Sequence, residues 1–239
     1  MTDNQLINLN QSYFTDQIIT YLGNKRKLLS HINLAIEEIK LNLNKNYINS
    51  FDGFSGSGVI SRLLKLHSNK LIVNDLEYYC YVINKCYLSN LDATQINEIK
   101  DKIDYLNSER KNYNKKGFIE KLYCSENDNN IQVGERLFFT NENGKIIDHL
   151  RSLIKDNDYY SLSSLLYKVS VHNNTSGVFK GFYKDTETNK GQFGGNAKNA
   201  LKRITKTIEL SYPIFFKNQC QTIIKQKDTC LRVKYTNLY

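Results

Sequence analysis

The chain has 239 residues, 40% of them hydrophobic, which excludes a disordered polypeptide and allows one large domain or a core domain carrying an insertion. Its 33 Lys and Arg against 24 Asp and Glu give a net charge of +9 and a pI near 9.1, a balance that attracts a polyanion such as nucleic acid and equally serves plain solubility. Five cysteines form no C-x-x-C pair, "MTDNQLINLNQSYF" has no secretory pattern, and no apolar run reaches membrane-spanning length; these argue for a soluble cytoplasmic protein with reduced thiols and no zinc site.

In chain order, residues 26–45, "RKLLSHINLAIEEIKLNLNK", place Leu28, Leu29, Ile32, Ala35, Ile36, Ile39 and Leu41 near helical spacing and predict an amphipathic helix. "YINSF", Tyr47 to Phe51, is a short β-rich run that enters Gly53, Gly56 and Gly58. After the glycines, Val59, Ile60, Leu63, Leu64 and Leu66 predict a second helix, and "KLIVNDLE", Lys70 to Glu77, an apolar strand ending in acids. Helix, strand, glycine loop, helix, strand is the opening of a parallel α/β sheet.

From about Asp75 to Arg110 the pattern is helical. The region 92–205 then loses the alternation of strands and helices and is rich in Lys, Asn, Tyr and charge; it is expected to be an insertion domain, with 1–91 and 206–239 forming the core. Pro213 is the only proline and is expected to end a helix. Thr222, Ile223 and Ile224 predict a strand ending at Asp228, and "VKYTNLY" the opening of one more. The abundance of Asn and Lys reads as AT-rich coding bias and carries no functional weight.

A strand that runs into three glycines and then a helix lets backbone N–H groups approach a ligand closely. The dinucleotide fingerprint G-x-G-x-x-G fails from Gly56, because the third glycine would fall on Ser61, and no G-K-[ST] follows for a phosphate-binding loop. A nicotinamide oxidoreductase is therefore disfavoured.

Asp52, Phe54, Gly56 and Gly58 instead resemble the Asp-x-Phe-x-Gly-x-Gly loop of class I AdoMet-dependent methyltransferases. That resemblance implies a Rossmann-like α/β sheet, S-adenosyl-L-methionine as cofactor, and Asp75 as the acid that binds the ribose hydroxyls. A carboxylate can accept two ribose O–H bonds at once; Asp75 can also be read as the cap of the helix that follows.

"YLGNKRKLL", Tyr21 to Leu29, is similar to the Tyr/Trp-x-Gly-x-Lys motif of the Dam-like adenine-specific DNA methyltransferases. Tyr21 and Lys25 match its aromatic residue and lysine, and the resemblance places the lysine against the methionine carboxylate. The other reading is an exposed lysine at a basic helix start. In "HNNTSGVFKGFYK", Asn174, Gly177 and Phe179 match the Asn-x-x-Gly-x-Phe/Tyr-Asn segment of that family, with Lys180 in place of its final Asn.

This segment carries lysines and aromatics suited to phosphate contact and base stacking, and Asn174, Lys180 and Lys184 are its candidate DNA contacts. Lys198, Lys202, Arg203 and Lys206 follow at spacings that would set several on one helical face, as a DNA contact or a solvated basic face. Asp228 would lie near the adenine ring of the cofactor by the same resemblance, or serve as a surface turn acid.

The resemblance implies methyl transfer to adenine N6 in double-stranded DNA, as the modification arm of a restriction-modification system with a cognate endonuclease. Its catalytic Asp/Asn-Pro-Pro-Tyr motif, which would hold the target amino group and stack on the flipped base, does not occur in the sequence. The expectation is a chain truncated before that motif, its sheet incomplete at the C-terminus and inactive alone. Three alternatives stand beside it. A cytosine C5 enzyme needs a Pro-Cys nucleophile, which is absent. A small-molecule methyltransferase leaves the lysine motif, charge and insertion unexplained. A non-catalytic DNA-binding or partner-completing subunit with a residual AdoMet site accounts for all three.

Overall fold

The computed structural model describes residues 11–19, 25–176, 181–195 and 198–228. The chain divides into two compact units, one formed by Met1–Ile18, Gly23–Ile96 and Pro213–Tyr239, the other by Ile19–Leu22 and Asn97–Tyr212.

The first unit is built on a parallel sheet in the order β1 (Ile48–Asp52), β2 (Ser68–Asp75), β3 (Gln221–Gln226). Its central strand holds the run Leu71, Ile72, Val73, Asn74, all buried, as expected of a strand covered on both faces. Asp52 stands opposite Val73 and Asp75 opposite Gln226, so the predicted acids finish at one edge of the sheet. Helix α3 (Val59–His67) makes the crossover from β1 to β2, and α4 (Tyr78–Tyr87) follows β2. Leu71, Val73, Leu88 and Cys220 form a core cluster with Leu64 and Ile224 against it.

On the N-terminal side, α1 (Gln11–Thr15) lays Tyr13 and Phe14 on Leu66 and Phe216, with ring centroids 5.0 to 5.5 Å apart. The buried Arg62 sits between the Tyr13 and Tyr87 rings and donates to the carbonyl oxygens of Tyr13 and Asp16. Arg26 donates to the Thr15 carbonyl at 3.3 Å and to Gln17 Oε1 at 3.2 Å. Two guanidinium groups thus close the carbonyl end of a helix too short to be stable by itself. A 3₁₀ turn, Lys25–Leu28, leads into α2 (Leu29–Asn42), as the periodicity of 26–45 predicts.

The second unit contains most of α5 (Ala93–Glu109), then α6 (Phe118–Tyr123), α7 (Asn141–Leu153), α8 (Tyr159–Val171) and α9 (Leu201–Thr205). Its described β structure consists of isolated bridges, Cys124 with Phe139 and Lys184 with Gly191. The caps are written in the sequence. Asp92 and Gln95 form a reciprocal capping box at the start of α5, with bonds of 2.9 and 3.0 Å, while Thr140 and Asp158 cap α7 and α8.

Two local expectations fail. Pro213 ends no helix; it lies in the segment 206–220, which has neither helix nor strand. The basic helical face predicted over Lys198 to Lys206 shrinks to the five residues of α9, because Gly194, Gly195 and Lys198 all have positive φ and turn the chain just before it.

The segment 206–220 is held by side-chain amides. Asn107 both donates to the Leu210 carbonyl and accepts its N–H. Asn143 donates to the carbonyls of Ile204 and Lys206 and accepts the N–H of Ile208. Within the first unit, Asn90 accepts the Asn218 N–H and donates to the Cys220 carbonyl. An asparagine carries one acceptor and a two-proton donor and can replace a missing strand neighbour. The buried Lys65 adds donor bonds to the Phe216 carbonyl at 2.6 Å and the Ser89 carbonyl at 3.1 Å, and burial pulls its ammonium down to about 8.

Cys80, Cys86, Cys124 and Cys220 are buried thiols, none in a disulfide. Burial pushes Cys80 and Cys124 up to about 12 and Cys220 to about 11, well away from reactive thiolates. Among the described residues no helix is long and apolar enough to cross a membrane.

Candidate functional site

The glycine loop leaves β1 at Asp52 and enters α3 at Val59. Gly56 and Gly58 have φ of +52° and +73°, values that a side chain disfavours. A Cβ built on Gly56 meets nothing within 4 Å, so at that point the loop turns bare backbone to open space.

The loop is fixed from the neighbouring strand. The Ser55 N–H donates to the Asn74 carbonyl at 3.1 Å, the Gly58 N–H to the Ser55 carbonyl at 2.9 Å, and the Gly56 N–H to Asp75 Oδ2 at 2.7 Å. The other oxygen of Asp75 accepts the N–H of Glu77 at 3.1 Å. Asp75 is thus not the cap of α4, whose N-cap is Glu77 without a side-chain cap bond, but it secures the turn leading into that helix. The Cys80 thiol also bonds to Asp75; a carboxylate offers about four acceptor positions, so these three partners leave capacity for a ligand.

Asp52 is bound through Oδ2 by the buried Ser61 hydroxyl at 2.6 Å. Burial raises its pKa above the usual Asp value; the Ser61 bond, the positive charge of Lys25 and the N–H of Phe54 oppose that rise, and Asp75 adds to it. The structure thus gathers Lys25, Asp52, Gly56, Gly58 and Asp75 into one neighbourhood. Asn74 brings in the end of β3 as well. Its amide accepts the Lys227 N–H at 3.1 Å and donates to the Lys227 carbonyl at 2.9 Å, setting Asp228 at the same edge of the sheet.

Three apolar side chains stand exposed there, Phe54 at 72%, Leu76 at 60% and Tyr78 at 48%. Ligands of parallel α/β sheets bind outside the carboxyl ends of the strands, where these groups offer apolar walls. Sequence reading singled out Phe54 and missed Leu76, which follows directly on Asp75 and was recoverable as an apolar residue between two acids. Tyr21 lies outside the described residues.

In the second unit the predicted contacts part company. Asn174 is fully buried: its amide donates to the carbonyls of Leu137 and Gln192 and accepts the N–H of Gly194. It joins three chain segments and has no surface to offer DNA. The Arg203 guanidinium turns onto the carbonyls of Val171 and Asn173, closing the end of α8, while its own carbonyl meets His172 Nδ1 at 2.7 Å. Lys184, Lys198 and Lys202 are exposed, Lys184 lying 5.4 Å from the centroid of the Phe182 ring. Lys180, Gly177 and Phe179 fall outside the described residues.

Residues 21–230 match the family described as D12 class N6 adenine-specific DNA methyltransferase. The chain belongs to that family. The match includes the lysine turn, the glycine loop, β2 with Asp75, all of the second unit from residue 21 onward and β3, so the D12 class accounts for both units. Among curated relatives, the chain is 28% identical over 178 residues to the type II methyltransferase M.NlaIII of Neisseria lactamica, covering 70% of this chain and 50% of that one. It is 29% identical over 197 residues to the type II methyltransferase M.CviAII of Paramecium bursaria Chlorella virus 1, covering 78% and 52%. With the modification methylase LlaI of Lactococcus lactis subsp. lactis it shares 27% identity over 183 residues, 70% of this chain and 28% of the relative. The chain spans about half the length of the first two relatives. No solved structure matches it.

Proposed function

We propose that this chain supplies the S-adenosyl-L-methionine site and the DNA-recognition unit of a site-specific methyltransferase acting on adenine N6, as the modification component of a restriction-modification system in the cytoplasm. The observation that carries the proposal is the bond from the Gly56 N–H to the Asp75 carboxylate, which ties an open glycine loop to the acid at the end of the next strand. Family membership and relatives described as type II methyltransferases support the same reading.

In this reading Asp75 binds the ribose hydroxyls with the acceptor capacity that Gly56, Glu77 and the Cys80 thiol leave. Lys25 meets the carboxylate of the methionine part, and the bare backbone at Gly56 admits its close approach. Asp52, a half-buried acid, gains from a nearby cation. Leu76 and Asp228 border the adenine ring. When bound, AdoMet supplies an electrophilic methyl group on a sulfonium. Lys184, Lys198 and Lys202 contact DNA phosphates, with Lys180 and Tyr21 retained as candidates on sequence grounds. Asn174 and Arg203 hold the unit that presents them.

The Asp/Asn-Pro-Pro-Tyr group is not among the 239 residues, whose only proline is Pro213. Methyl transfer is therefore proposed for an enzyme in which that group comes from elsewhere.

Calorimetric titration with AdoMet tests the cofactor site. The expected result is micromolar binding by the unmodified chain and at least about a 100-fold loss in Asp75→Ala, since both a ribose acceptor and the anchor of the loop disappear. Equal affinity in the variant would discard the assignment.

A further inference from the structure

Asn84, on the second turn of α4, is 1% exposed and is not part of the glycine motif. Its Nδ2 lies 3.0 Å from Ser55 Oγ, 3.3 Å from the Gly56 carbonyl and 2.8 Å from the Cys80 carbonyl of its own helix. Its Oδ1 is buried without a hydrogen-bond partner and sits 2.4 Å from where a Cβ on Gly58 would be. A buried amide oxygen left without a donor is costly, and here it lies against the loop residue whose backbone starts α3.

We infer that Asn84 is the positioning residue of the glycine loop, setting from beneath the backbone path that Gly56 and Gly58 present to the methionine part of AdoMet. The inference rests on the cofactor reading above. Asp75 and Asn74 fix the loop from the side of β2, through the N–H groups of Gly56 and Ser55. Only Asn84 reaches both Ser55 and Gly56 from α4 among the described contacts, using side-chain donors where the β2 residues use acceptors. At Ser55 and Gly56 the loop is thereby held through its N–H groups by β2 and through its oxygens by α4, while Asn74 Nδ2 reaches the Gly53 carbonyl at 3.5 Å. The closeness of Oδ1 also gives Gly58 a second reason to be glycine besides its positive φ. Any side chain there would displace the amide that holds Gly56.

Two variants test this, each against the unmodified chain. Asn84→Ala removes the donor. Asn84→Asp keeps the shape but sets a carboxylate against the carbonyl oxygens of Gly56 and Cys80, and only its protonated form can donate to them again. Hydrogen exchange without ligand reads the amides of Ser55, Gly56 and Gly58, and calorimetry compares AdoMet with adenosine, which lacks the methionine part.

The expected result is faster exchange at those amides in both variants. AdoMet affinity should fall at least about tenfold with adenosine affinity little changed. For Asn84→Asp, the deficit relative to the unmodified chain at the same pH should shrink as pH falls from about 8 to about 5.5, as the buried carboxyl takes up its proton. Unchanged exchange overturns the inference, and so does a proportional loss of both ligands, the mark of general loosening. Faster exchange with undiminished AdoMet affinity overturns it too. If the unmodified chain binds no AdoMet, the cofactor reading fails by itself, and the exchange rates alone decide whether Asn84 anchors the loop.

Discussion

Asp75 and Asn174 were both singled out by motif, and the two units use them in opposite ways. Asp75 accepts two backbone N–H groups and retains acceptor capacity beside exposed Phe54 and Leu76. Asn174 is sealed, its amide committed to Leu137, Gln192 and Gly194. A residue that fits a functional pattern can therefore face the ligand or hold together the surface that does. What separates the cases is the hydrogen-bonding capacity left after the fold has used its share.

The sharpest way to break this contrast is Asn174→Ala. It removes the side-chain partner of one buried and one part-buried carbonyl and of one buried N–H, and should lower stability by about 3 kcal/mol, measured by chemical denaturation. Any remaining folded protein should bind DNA with the unmodified affinity at fixed salt. A stable variant that binds DNA more weakly at the same salt would return Asn174 to the list of DNA contacts.

The next test concerns Asp52. Its folded-state pKa is raised, chiefly by burial, so the folded chain holds this proton more tightly than the unfolded one. That preference favours folding below the ordinary Asp range near about pH 4 and is lost as pH rises through the folded value. Asp52→Asn should therefore melt at a higher temperature than the unmodified chain at pH 7, with the advantage vanishing in acid, while AdoMet binds more weakly. A variant less stable at neutral pH would show that the Ser61 bond and Lys25 outweigh burial.

The smallest effect belongs to the surface lysines. Lys184→Gln and Lys202→Gln should each reduce the slope of log affinity for duplex DNA against log salt by about 1. Arg203→Gln should chiefly lower the melting temperature, because its guanidinium closes the end of α8. Equal slopes in all three variants would place the DNA surface elsewhere.

Much of the first unit was legible because its signals are local. The periodicity of 26–45, the glycines between Phe51 and Val59, and the apolar run into Asp75 each fix an element from a few consecutive residues. The supporting amides were illegible because their partners are remote in sequence. Asn74 meets Lys227, Asn84 meets Ser55, and Asn143 meets Ile208. An asparagine in such a bond has no pattern of its own, and reading the abundance of Asn as coding bias passed over the residues that secure 206–220. The helix drawn through Lys198 to Lys206 failed for a related reason, since charge spacing was read without the turn at Gly194 and Gly195.

Asn143 precedes Gly144, a dipeptide prone to deamidation, in which the following backbone nitrogen attacks the amide carbon. Here that nitrogen donates its proton to the Thr140 carbonyl at 2.9 Å inside a helix, and the amide itself is engaged by Ile204, Lys206 and Ile208. Only a molecule whose helix end has opened can undergo the reaction. The fraction of aspartate and isoaspartate that accumulates at this position during storage is thus a chemical clock, recording how often α7 releases the chain it holds.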